Sequence, residues 1–114
     1  MTDSDPYTHS IYCGLATKRS LAWIAKSLSK LGWETRMCSW TEHELTCDDA
    51  DLVLVPHDPP LLSGGILPTE NALDRVVHDL QAIGIGGDFE LYDDANELLR
   101  EGLIHNATSG QDTG

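Results

Sequence analysis

Two amphipathic segments constrain this chain most. Each is closed by an apolar residue and a glycine, and each is followed by an alternating stretch. Residues 18–31 set Leu21, Ile24, Ala25, Leu28 and Leu31 on one helical stripe, with Gly32 just past the last turn. Residues 70–83 repeat the design with Ala72, Leu73, Val76, Val77, Leu80 and Ile83, Thr69 as N-cap and Gly84 as stop. A helix with one apolar stripe has to bury it against a second layer. The partners at hand are short β-rich runs, so the expected class is α/β.

Residues 9–13, 34–40 and 88–92 read as strands. DLVLV at 51–55 is continuously apolar, as in a strand covered on both faces. Residues 57–68 read as a Pro/Gly-rich loop, and residues 94–101 as a short last helix, with Asp94 as cap and Glu97 three residues on. The expectation is a single small domain over 9–105, with a loose leader at 1–8 and a polar tail at 106–114. Its order would be β-α-β-β-α-β-α around a four-stranded sheet. A parallel, flavodoxin-like order 2-1-3-4 is favoured over a ferredoxin-like order 4-1-3-2, because residues 41–50 are long for a hairpin. At 114 residues the chain can bury a core without a metal or disulfide staple.

Charge is uneven. Residues 1–40 carry five basic and three acidic side chains, and residues 41–114 carry two basic and sixteen acidic, for a total of −12. A field of that sign repels nucleic-acid backbones and anionic membranes and attracts cationic partners. No run approaches the length of a membrane span. Three cysteines, an odd number, argue against a closed disulfide framework and for a reducing compartment, with the cytoplasm as the expected location.

The most specific local pattern is Cys13 followed by Arg19 and Ser20, a C-x5-R-S spacing at a strand-to-helix junction. It resembles the phosphate loop of low-molecular-weight tyrosine phosphatases and thiol-linked arsenate reductases. The resemblance implies Cys13 as nucleophile, Arg19 as a two-nitrogen phosphate clamp and Ser20 assisting the leaving thiolate, with Asp58, or else Asp93 and Asp94, as general acid. A helix N-terminus suits both parts of that chemistry, since it binds anions and lowers a thiol pKa. Leu15, Ala16 and Thr17 stand where those families favour Gly or Asn. A second, weaker constellation is Cys38, His43 and Cys47, whose ligand types suit zinc but whose spacing lacks a tight Cys knuckle. Gly84, Gly86 and Gly87 follow a helix and precede a strand, the reverse of a dinucleotide-binding order.

On the first helix, Trp23 shares an outer sector with Arg19, Lys26 and Lys30, an amphipathic anchor of the interface type. Trp33 and Trp40 extend that surface, which could also join two copies of the chain. Asp48, Asp49, Asp51, Asp58, Asp88, Glu90, Asp93 and Asp94 cluster near strand ends. If the sheet is parallel, Asp58 and Asp93/Asp94 share one edge. No D-x-D-x-D-G loop accompanies them, so a basic protein fits them better than a calcium ion. The leading expectation is therefore a non-enzymatic acidic binding protein, of the kind a bacterial toxin's immunity protein represents, that needs no cofactor and neutralises a basic partner such as a toxin domain. The alternative is the Cys-dependent phosphatase- or arsenate-reductase-like enzyme.

Overall fold

The computed structural model describes residues 6–57 and 59–105. In chain order the elements are β1 (His9–Ala16), α1 (Leu21–Ser29), β2 (Glu34–Met37), β3 (His43–Thr46), β4 (Ala50–Val55), β5 (Leu61–Ile66), α2 (Glu70–Ala82), β6 (Gly86–Tyr92) and β7 (Leu98–Ile104). The strands form one sheet in the order β2-β3-β4-β5-β1-β6-β7, with every neighbouring pair antiparallel.

The helices begin and end on local chemistry. The Ser20 hydroxyl accepts from the Trp23 amide at 3.1 Å, and the Thr69 hydroxyl accepts from the Ala72 amide at 3.1 Å, each satisfying one orphan donor of a first turn. Gly32 at φ 104° and Gly84 at φ 82° supply the left-handed residue that turns the chain out of each helix. Both helices lie on one face of the sheet. Ile24, Ala25 and Leu28 of α1 and Ala72, Leu73, Val76 and Leu80 of α2 meet Ile11, Cys13 and Leu15 of β1, Leu52 and Leu54 of β4, Leu62 of β5 and Phe89 and Leu91 of β6 in a single core. The other face of the sheet has no helix on it among the described residues.

This corrects the expected four-stranded sheet. It has seven strands, it is antiparallel throughout, and neither flavodoxin-like 2-1-3-4 nor a four-stranded 4-1-3-2 describes it. Three strands account for the difference. The loop expected at 57–68 contains β5, the connection at 41–50 contains β3, and the last helix expected at 94–101 is a turn followed by the first half of β7. β5 separates β1 from β4, and β3, β4 and β5 together separate β1 from β2, so neither of these pairs, expected to run in parallel, is hydrogen-bonded. The α1 and α2 crossovers are thus split β-α-β connections. DLVLV owes its apolarity to the core on one side, at Leu52 and Leu54, while Val53 and Val55 are half-buried on the other. The expected leader and tail fall largely on residues 1–5 and 106–114, outside the described residues.

Candidate functional site

Side chains alternate across a strand, so the register fixes which residues share the helix-free face. Tyr12 on β1 stands opposite Glu90 on β6 and Ser63 on β5, and Gly14 stands opposite Asp88. Glu90 in turn faces Glu101 on β7, and Asp88 faces Leu103. Across the other half of the sheet, Asp51 on β4 faces Thr46 on β3, while Glu44 on β3 lies between Val53 and Arg36 on β2. Glu34 shares that side with Arg36. The face therefore gathers six carboxylates, Glu34, Glu44, Asp51, Asp88, Glu90 and Glu101. Among the described residues its cation is Arg36, which pairs with Glu44 at 2.7 Å. The remaining Lys and Arg side chains lie on the loop before α1, on the helices or just after them, or on the helix side of β7.

Towards its β7 edge lies a shallow depression of about 470 Å³ lined by Gly14, Tyr12, Leu61, Asp88, Glu90 and Leu103. Gly14 matters there because a Cβ would sit 3.0 Å from Asp88 Oδ1. In its absence the Gly14 amide donates to that oxygen at 3.3 Å. Tyr12 and Tyr92 meet edge to face at 5.7 Å. The Tyr92 hydroxyl donates to Glu90 Oε1 at 2.9 Å, and this bond to the carboxylate raises the phenol above its ordinary pKa. Directly opposed Glu90 and Glu101 are a like-charge pair, an arrangement that costs stability in a sheet. Such a surface can bind cations and amphipathic side chains.

The residues expected to form a phosphate loop are not brought together as one. Cys13 lies mid-strand, fully buried on the helix-covered side. Burial, reinforced by the Asp88 charge, pushes its thiol up to about 12, so it is protonated at neutral pH. The Leu15 amide donates to the Pro60 carbonyl and the Thr17 amide to the Leu15 carbonyl, each at 2.9 Å, so these amides do not converge on an anion. Arg19 stacks over the Trp23 ring at 4.4 Å and Ser20 caps α1. Asp58 is outside the described residues.

Cys38, His43 and Cys47 are likewise spread. Cys38 is in the β2–β3 turn, and β3 carries His43 about 13 Å from Cys47. Among the described residues no three His, Cys, Asp or Glu side chains gather as a metal site.

Of the acidic set, Asp51, Asp88 and Glu90 share the open face. Asp93 shapes the β6–β7 turn by accepting from the Ala95 and Glu97 amides at 2.9 Å, beside exposed Asp94. Asp48 and Asp49 occupy the β3–β4 turn at the same end of the sheet as Asp93 and Asp94, whereas β4 leaves at the opposite end. A shared edge for Asp58 and Asp93/Asp94 required a parallel sheet and is corrected by the antiparallel order. The tryptophans separate too: Trp23 is half-buried under Arg19, Trp33 is buried, and Trp40 is 93% exposed on the β2–β3 turn.

One cluster escaped the sequence reading. Buried Asp79 accepts from Trp33 Nε1 at 2.7 Å and from Arg75 Nε at 3.0 Å. Arg75 also reaches the Leu31 carbonyl at 3.4 Å and the Asp49 carboxylate at 3.7 Å, tying α2 to the end of α1 and to the β3–β4 turn. Its signal was a carboxylate on the apolar stripe of residues 72, 73, 76 and 80, with an arginine four residues before it. Compared with protein-family models, curated proteins and solved structures, the chain matches none of them.

Proposed function

We propose that this protein acts without catalysis, as an acidic inhibitor that docks on a basic protein partner and neutralises it, in the manner of an immunity protein bound to a cationic toxin domain. The observation that carries this reading is the helix-free sheet face, where six carboxylates share one side, three of them (Asp88, Glu90 and Glu101) on the strands beside Tyr12 and Tyr92, and one arginine is already paired. Carboxylates steer a cationic partner and set the orientation of docking, while tyrosines supply contact area at low entropic cost. The docking residues are then Asp51, Asp88, Glu90 and Glu101 with Tyr12 and Tyr92. Asp93 and Asp94 extend the surface at one end, where Asp48 is also exposed, while Asp49 is engaged by Arg75 of α2. Three free thiols suit a reducing compartment such as the cytoplasm. Among the described residues no helix is long and apolar enough to cross a membrane.

The test is affinity capture from the source lysate with the native chain and with a Glu90→Lys/Glu101→Lys variant, washed at low and high salt. The expected result is one stoichiometric basic protein on the native chain, weakened by salt and lost from the variant. No basic partner, or one that the variant holds equally well at low salt, would overturn the reading.

A further inference from the structure

β2 is an edge strand, and all four of its residues are exposed. The hydrogen-bond alternation of its ladder tells which backbone groups it leaves over. The Cys38 amide donates to the Glu42 carbonyl at 3.0 Å, so in steps of two the residues bonded to β3 are Arg36 and Glu34. Thr35 and Met37 therefore turn their amides and carbonyls outward, a template for another strand.

We propose that a second copy of this chain occupies that edge, the two β2 strands pairing antiparallel about a two-fold axis at Thr35. In this register Thr35 faces Thr35 of the second copy, and the two exchange a pair of backbone hydrogen bonds through their outward groups. Glu34 of each chain then faces Arg36 of the other, twice. An isologous contact has to be self-complementary, and this sequence is. Glu34 has no ion-pair partner among the described residues. Arg36 is 75% exposed and uses one nitrogen on Glu44, which leaves guanidinium donors for a second carboxylate. Moving the axis by one residue, to Arg36, would set arginine against arginine, and moving it to Met37 would leave Glu34 and Arg36 without each other, so the two ion pairs favour the Thr35 register.

The apolar surface agrees. Leu31, Met37 and Trp40, at 39%, 59% and 93% exposure, all flank this edge. The turn that carries Trp40 is braced by Ser39 Oγ, which accepts from the Thr41 and Glu42 amides at 3.4 and 3.2 Å. In the paired register each turn extends towards the other chain's Leu31 and Lys30, where an indole finds an apolar contact and a cation. The two-fold axis is perpendicular to the sheet, so the acidic faces of both copies look the same way.

Sedimentation of the full chain at low salt decides the matter. The native chain is expected at twice its 12.5 kDa mass. Glu34→Arg and Arg36→Glu should each raise the dimer dissociation constant about tenfold or more, because each sets like charges opposite each other twice. An equimolar mixture of the two variants should re-form a dimer, since the doubly basic edge of the Glu34→Arg chain then faces the doubly acidic edge of the Arg36→Glu chain. Re-formation also shows that both variants are folded. A native chain that stays monomeric up to about 100 µM, a dimer that ignores both reversals, or a mixture that stays monomeric overturns the proposal.

Discussion

Cys13 shows how one residue's environment decides its chemistry. Its thiol is held near 12 while the same group in the unfolded chain ionises near 9. Above pH 9 the unfolded chain therefore loses a proton that the folded chain keeps, and ionisation favours unfolding. The stabilisation is fully present below pH 9 and is lost between pH 9 and about 12, at up to about 1.4 kcal/mol per pH unit. Cys13→Ala should cost about 1 kcal/mol at neutral pH for the small cavity and remove this part of the alkaline decline. Urea midpoints of both proteins across that range check it, and parallel slopes would show that Cys13 is not the group responsible. The nucleophile-like spacing of Cys13, Arg19 and Ser20 was visible in sequence. That the strand would run three residues past the cysteine, to Ala16, was not. The same limit hid Asp79, whose burial becomes tolerable only once Trp33 and Arg75 reach it from 46 and 4 residues away.

At the scale of elements, two glycines mark where strands run closer than side chains allow. Gly87 has φ 150°, and a Cβ there would collide with the carbonyl oxygen of Gly14 across the β1–β6 pair. Gly64 on β5, at φ 151°, would collide with the carbonyl oxygen of Asp51. Gly87→Ala is expected to lower stability by about 3 kcal/mol or more, since the collision is with backbone and cannot be relieved by a rotamer change. Chemical denaturation measures this, and a loss below about 1 kcal/mol would mean that the β1–β6 pair shifts freely. These glycines also explain what sequence reading gets right and wrong. Both long helices, the Thr69 cap and the two glycine stops are legible because helix signals lie within a few residues of one another, whereas Ser20, read as part of a phosphate loop, is the cap of α1. β5 reads as a loop because Ser63, Gly64 and Gly65 have strand character only between β4 and β1, which supply their ladder partners. β7 reads as a helix because Asp94 and Glu97 mimic a capping box. In the folded chain Asp93 closes a hairpin turn instead, with Asn96 in the left-handed region at φ 66°.

For the whole molecule, an antiparallel sheet with both helices on one side leaves its other side to face solvent or a partner. The composition announced an acidic protein, but only the register shows that six carboxylates share that side and that Glu90 and Glu101 oppose each other. Repulsion of this kind is screened by ions beyond a Debye length. Raising salt from roughly 10 to 500 mM should therefore raise the thermal midpoint. Replacing Glu90 and Glu101 by Gln should raise the low-salt midpoint by about 2–3 °C, equivalent to roughly 0.5 kcal/mol, and flatten its salt dependence. A scanning calorimeter reads both effects. A variant no more stable than the native chain would mean that these carboxylates are not in conflict and that their placement needs no reason beyond solubility. A variant that is more stable but no longer holds a basic partner would mean the opposite. The chain would then be carrying an unfavourable charge ladder on its open face because a cationic surface relieves it on docking.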